Sequence, residues 1–101
     1  MACNSEGYSV DSMTDEEIEA LVTVALACGR RRAVWNYRRY NALAEKGLSE
    51  IIRTGKLYNT HRMTRAGIEA ILDLPDNYIH SFYPLPADIA KAKAIAGMLK
   101  P

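Results

Sequence analysis

Nine side chains in the middle of the chain have the chemistry of anion recognition: Arg31, Arg32, Trp35, Arg38, Arg39, Lys46, Arg53, Lys56 and Arg62. A guanidinium can clamp a phosphate or a guanine edge with two parallel hydrogen bonds. An ammonium neutralises phosphate as a point charge, and an indole can pack on a sugar or base. The overall charge hides this concentration, because the 101-residue chain is formally only +1. Residues 1 to 29 hold six carboxylates and no Lys or Arg, whereas residues 30 to 65 hold ten cations against Glu45 and Glu50. An acidic beginning followed by a basic middle is the electrostatic footprint of a protein with an anionic partner.

Other chemistries lack their residues at the necessary spacing. Cys3 and Cys28 have no second Cys or His two to four residues away, so they make neither a zinc box nor a disulfide framework. Cys28, near a helix end, reads as small core filling, and Cys3 as a thiol in a loose arm. His61 and His80 have no Ser, Cys or Asp arranged as a triad, and no glycine-rich phosphate cradle is present. His61 reads instead as a half-buried hairpin residue. The expectation is a protein that is not an enzyme and needs neither cofactor nor metal. Asp15, Glu16, Glu17 and Glu19 suit the first turn of a helix, where carboxylates complement the dipole, better than a catalytic pair. No window reaches the roughly 20 apolar residues of a membrane span, and the first residues lack a secretory pattern, which together predict a cytoplasmic protein.

Periodicity supplies the elements that must position the cations. Residues 1–12 read as a flexible acidic arm. Thr14 and Glu17 have capping-box spacing, flanked by a Met13/Ile18 staple, and Ile18, Leu21, Val22, Ala25 and Leu26 form one apolar stripe that ends at Gly29. A second helix is predicted from Arg32 to Lys46, closed by Gly47, with Ala33, Tyr37, Tyr40 and Ala44 inward. Its outward face would carry Arg31, Trp35, Arg38, Arg39 and Lys46. "LSEIIR" and "KLYNTHRM" read as two strands turning at Thr54-Gly55, with Leu57, Asn59, His61 and Met63 on one face of the second. Thr64 caps a helix bearing Ile68, Ile71 and Leu72. An aromatic loop with Tyr78, Phe82 and Tyr83 then leads to a final helix that opens at Pro86 and carries Ile89, Ala92, Ile95, Ala96 and Leu99. The fold class is therefore α+β, mostly α, with residues 13–74 as one domain, a two-stranded antiparallel hairpin, and residues 75–101 packing on that domain or on a second subunit.

Two motifs in this order, Leu43 to Leu48 and His61-Arg62-Met63-Thr64-Arg65-Ala66-Gly67, resemble the second half of a winged-helix DNA-binding domain. In that family a recognition helix closes in a Leu-x-x-x-Gly-Leu step, and the second wing strand runs into a Thr-capped helix. His61 stands where the family usually has an aromatic, and the segment before Asn36 is too short for the usual two helices ahead of the recognition helix. The resemblance implies a compact winged-helix-like domain that contacts double-stranded DNA, a transcriptional regulator that can dimerise through its C-terminal helix. Arg38 and Arg39 would reach base edges or flanking phosphates, and Lys46, Arg53 and Lys56 phosphates. Arg53, Lys56 and Arg62 with Tyr58 fit wing contacts and edge-strand protection equally well. The alternative function is a viral or mobile-element module that uses the same scaffold to inhibit a host nucleic-acid-binding complex.

Overall fold

The computed structural model describes residues 13–75 and 86–99. Helix α1 (Asp15–Leu26) begins at the predicted capping box: the Glu17 amide donates to Thr14 Oγ1 at 3.1 Å and the Thr14 amide to Glu17 Oε1 at 3.0 Å. Past its first turn the helix is buried almost all round, with Ile18, Ala20, Leu21, Val22, Val24 and Ala25 at most 2% exposed. A single stripe was the expectation. The burial is wider because α1 is the hub of the fold and is covered by three other helices and the sheet. It ends in a Schellman turn, in which the Gly29 amide donates to Val24 O and the Cys28 amide to Ala25 O. Cys28 holds the left-handed position of that turn, at φ +59°, and its residue is exposed rather than filling the core as expected.

The predicted helix from Arg32 to Lys46 does not form as one element. Residues Arg30–Val34 are strand β1, and only Arg38–Glu45 are helical, as α2. "RRRAV" tolerates either period, and here backbone pairing with a later strand decides the outcome over local preference. The reversal between the two elements is tied down by the Tyr37 amide on Val34 O, Asn41 Nδ2 on Trp35 O and the Trp35 amide on Leu57 O. At the other end α2 closes in a second Schellman turn with Gly47 at φ +78°, where the Leu48 amide reaches Leu43 O at 2.9 Å. Leu43 and Leu48, both fully buried, make the apolar contact across this turn, which is the physical content of the Leu-x-x-x-Gly-Leu pattern.

Strands β2 (Ser49–Thr54) and β3 (Tyr58–Met63) form the expected hairpin. The sheet is nevertheless three-stranded, in the order β1-β3-β2 and antiparallel throughout, because β1 supplies the third strand. Its inner face buries Ala33, Asn59, His61, Met63 and Ser49 against the helices. Leu57, expected inward, lies at the exposed tip. Thr64 caps α3 (Arg65–Leu72) by accepting from the Gly67 amide, and its hydroxyl donates to Gly47 O at 2.6 Å. A Cβ on Gly67 would stand 2.1 Å from Leu48 O, so only glycine lets α3 sit this close to the root of the hairpin. Helix α4 (Pro86–Leu99) opens at Pro86 as predicted and buries Ile89, Ala92 and Ala96 against α1 and α3. Three residues of the stripe read as a dimer surface are thus used within the chain, while Leu99 stays 37% exposed. The arm with Cys3 and the loop carrying Tyr78, His80, Phe82 and Tyr83 lie outside the described residues.

Candidate nucleic-acid interface

Antiparallel partners point to the same side of a sheet, so the register assigns each cation to a face. Three rows cross the outer, solvent-facing side. The first is Arg30, Arg62 and Glu50; the second is Arg32, Thr60 and Arg53; the third is Val34 and Tyr58. Arg53 joins the outer face because β2 bulges between Ile51 and Arg53, which takes Ile52 out of register. Strict alternation would have turned Arg53 inward, toward buried Asn59. Lys56 stands at the hairpin tip, and with Arg32, Arg53, Leu57 and Tyr58 it borders an open groove of about 370 Å³.

One feature of this face is unfavourable for structure alone. Arg30 lies directly across from Arg62, and like charges at opposed strand positions repel. Glu50 relieves part of that by accepting from Arg62 Nη2 at 2.7 Å and Nε at 3.2 Å. The Arg32 guanidinium lies over the Tyr58 ring, 5.5 Å from its centroid, and Tyr58 itself remains half exposed. Such a stack presents a charged, flat surface of the kind on which sugars and bases pack.

The α2 cations are placed otherwise. Arg39 is ion-paired with Glu19 and Glu16, and Lys46 Nζ meets Glu17 Oε1 at 2.5 Å. The acidic face of α1 therefore neutralises the very helix that was expected to reach into a DNA groove. Burial raises the Glu17 pKa, but the Lys46 hydrogen bond, the Thr14 amide and the Lys46 charge outweigh it and hold the carboxyl below its ordinary value. Arg38 opens α2 and is exposed, and Trp35 is 55% exposed in the turn just before it. Arg31 alternates to the opposite side from Arg30 and Arg32. It borders a separate cleft between α1, β1 and α2.

No protein-family model matches this chain, and no curated protein or solved structure matches it.

Of the nine cations and aromatics singled out by sequence, Arg32, Arg53 and Arg62 converge on one face, with Lys56 beside it. Arg39 and Lys46 are diverted to α1, Arg31 faces the cleft, and Trp35 and Arg38 border the end of β1. The reading of residues 31–46 as one helical face missed Arg30 as a member of the outer face. Period-two reading of "RRRAV", with Ala33 inward, was the available signal. Ser49 Oγ approaches His61 Nδ1 at 3.3 Å, a hydroxyl–imidazole contact, but both residues are sealed beneath the sheet. His61, expected half-buried, is fully buried, and burial pushes its pKa below the usual 6.5. Among the described residues no group of three or more His, Cys, Asp or Glu side chains could hold a metal, and no helix is long and apolar enough to cross a membrane.

Proposed function

We propose that this chain binds DNA through its phosphate backbone, using the outer face of the sheet and the hairpin tip, in the service of transcriptional regulation. One observation carries the reading: Arg30, Arg32, Arg53 and Arg62 leave the same face of the sheet, beside Lys56, with Glu50 as the carboxylate in their rows. The order helix, strand, helix, strand, strand, with the hairpin paired to the first strand, supports a winged-helix relationship. The docking mode differs from the one that relationship suggests. Helix α2 has 8 residues, about 12 Å of length. Only Trp35, Asn36 and Tyr37 separate it from β1, leaving no room for a preceding helix in a helix-turn-helix. Its Arg39 and Lys46 are already paired. The contacts accordingly move from a groove-inserted helix to the wing and sheet, where phosphates are neutralised and Tyr58 packs on sugar.

A titration of labelled random duplex DNA at several salt concentrations tests this directly. Each neutralised phosphate contributes a slope of about −0.9 in log affinity against log salt. The Arg32→Ala/Arg53→Ala/Lys56→Ala variant should flatten that slope by about 3. Absence of binding at about 50 mM salt, or a slope that the triple variant leaves unchanged, refutes the proposal.

A second reading draws on the exposed apolar residues Val34, Trp35, Ile52 and Leu57 around the same face. They favour a protein-binding module that docks on an acidic, apolar surface of a host nucleic-acid-binding complex and inhibits it. Nuclease-resistant, stoichiometric recovery of one protein in a pull-down, with no duplex binding, selects it.

A further inference from the structure

A second concavity, of about 330 Å³, lies between α1, β1 and α2 on the far side of the Arg32–Tyr58 stack from the outer groove. That volume falls at the lower end of the range for small-molecule sites. Its walls combine three tyrosines, Tyr37, Tyr40 and Tyr58, with the guanidinium-bearing residues Arg31, Arg32 and Arg39. Two of the rings are already paired with a guanidinium: Arg39 lies 5.4 Å from the Tyr37 centroid, and Arg32 5.5 Å from that of Tyr58. Both rings remain nearly half exposed, whereas Tyr40 is buried and backs the cleft. Glu19 is the carboxylate on the wall, and it is held by Arg39. Arg31 is exposed and has no carboxylate partner among the described residues, so the cleft is net positive.

We propose that this cleft binds a phosphorylated nucleoside, its base stacked on the Tyr37–Arg39 face and its phosphate held by Arg31. The ligand needs a flat π-system for the rings and an anion for the guanidiniums, joined within the span of one nucleotide. A paired base in a duplex cannot enter such a cleft. Two sources share the required chemistry: a free mononucleotide, and the 5′-phosphorylated end of a single strand. Arg32 and Tyr58 border both concavities, so a strand can cross from the outer groove into the cleft over their stack. The inference goes beyond duplex binding and stands without it.

The test is calorimetric titration of the full chain with adenosine 5′-monophosphate and, separately, with a short 5′-phosphorylated single-stranded oligodeoxyadenylate. Inorganic phosphate and adenosine are the controls. At least one phosphorylated ligand should bind one-to-one, about tenfold or more tighter than either control. Its affinity should fall by about tenfold in Arg31→Ala and in Tyr37→Ala. Both sites are at the surface, and circular dichroism checks that the variants fold. Thr23→Met, which fills the cleft from α1, should weaken the same ligand, and Lys91→Ala, which removes one distant charge, should not. A stronger response to the mononucleotide identifies a free nucleotide as the source, and a stronger response to the oligonucleotide identifies a strand end. The proposal is overturned if neither ligand outbinds inorganic phosphate, or if binding survives Arg31→Ala, Tyr37→Ala and Thr23→Met alike.

Discussion

The same chemistry has opposite fates on α2 and on the outer face of the sheet. Arg39 and Lys46 have side chains only 25% and 26% exposed, folded against the acids of α1. Arg62, although it touches Glu50, keeps 47% of its side chain in water, and Arg30, Arg32, Arg53 and Lys56 are exposed as well. The difference lies in what each element faces. Helix α2 packs on a helix whose first turn is crowded with carboxylates, whereas no described helix packs over the outer side of the sheet. A cation count along the chain cannot distinguish these cases. Only the pairing of elements shows which charges serve the fold and which remain available to a ligand.

The largest effect should come from the open face. Reversing two charges, in Arg32→Glu/Arg53→Glu, should lower affinity for duplex DNA by more than about a hundredfold at moderate salt. Stability should fall by no more than about 1 kcal/mol, the scale of the exposed Arg32–Tyr58 stack that is lost. Equal loss of affinity and melting temperature would erase the distinction between the two regions. The reciprocal change is Lys46→Met, which strands the carboxylate of Glu17, itself 8% exposed, without its ammonium. Chemical denaturation should show a loss of about 2–3 kcal/mol, with DNA affinity intact.

Acid should sharpen the contrast further. Burial favours neutral His61, so its contribution is complete above the unfolded-state value near 6.5 and is lost as pH falls from there through the lower folded-state value. Unfolding free energy should decline over that window by up to about 1.4 kcal/mol per pH unit, and His61→Leu should remove the slope. Glu17 takes over at lower pH: its folded value lies below 4.5, so its stabilisation fades as pH drops through and beneath that point. Arginine keeps its charge throughout this range. DNA binding by the intact fold should therefore respond to salt far more than to pH. The smallest effect concerns the turn that joins the paired region to the open one. Cys28→Gly replaces a side chain in the left-handed region and should raise stability by about 1 kcal/mol or less, read as a higher denaturation midpoint.

Most elements were legible where a local signal marked both ends. The Thr14/Glu17 box, the Gly47 stop, the Thr64 cap and Pro86 all bound helices as expected. The alternation of Asn59, His61 and Met63 likewise announced the buried side of β3. Strand β1 was missed because three arginines and an alanine carry only a faint alternation, and the partner that makes them a strand lies some thirty residues later. The candidate site suffered for the same reason. Arg32, Arg53 and Arg62 were among the candidates but could not be seen as neighbours, since their proximity depends on β1 joining β3 and on a one-residue irregularity in β2. That Arg39 and Lys46 would be claimed by α1 depends on how two helices cross, which no single segment encodes.

The irregularity at Ile52 also bears on how this chain can change length. Because the residue is unmatched in the ladder, deleting it would leave Ile51 opposite His61, Arg53 opposite Thr60 and Thr54 opposite Asn59. A version one residue shorter at this point could thus keep every outward arginine. Residue 51 is also Ile, so loss of either isoleucine gives the same sequence, whereas removing Arg53 would delete a charge outright. Among natural variants of this protein, single-residue gaps in the second strand should therefore gather at the Ile51-Ile52 pair.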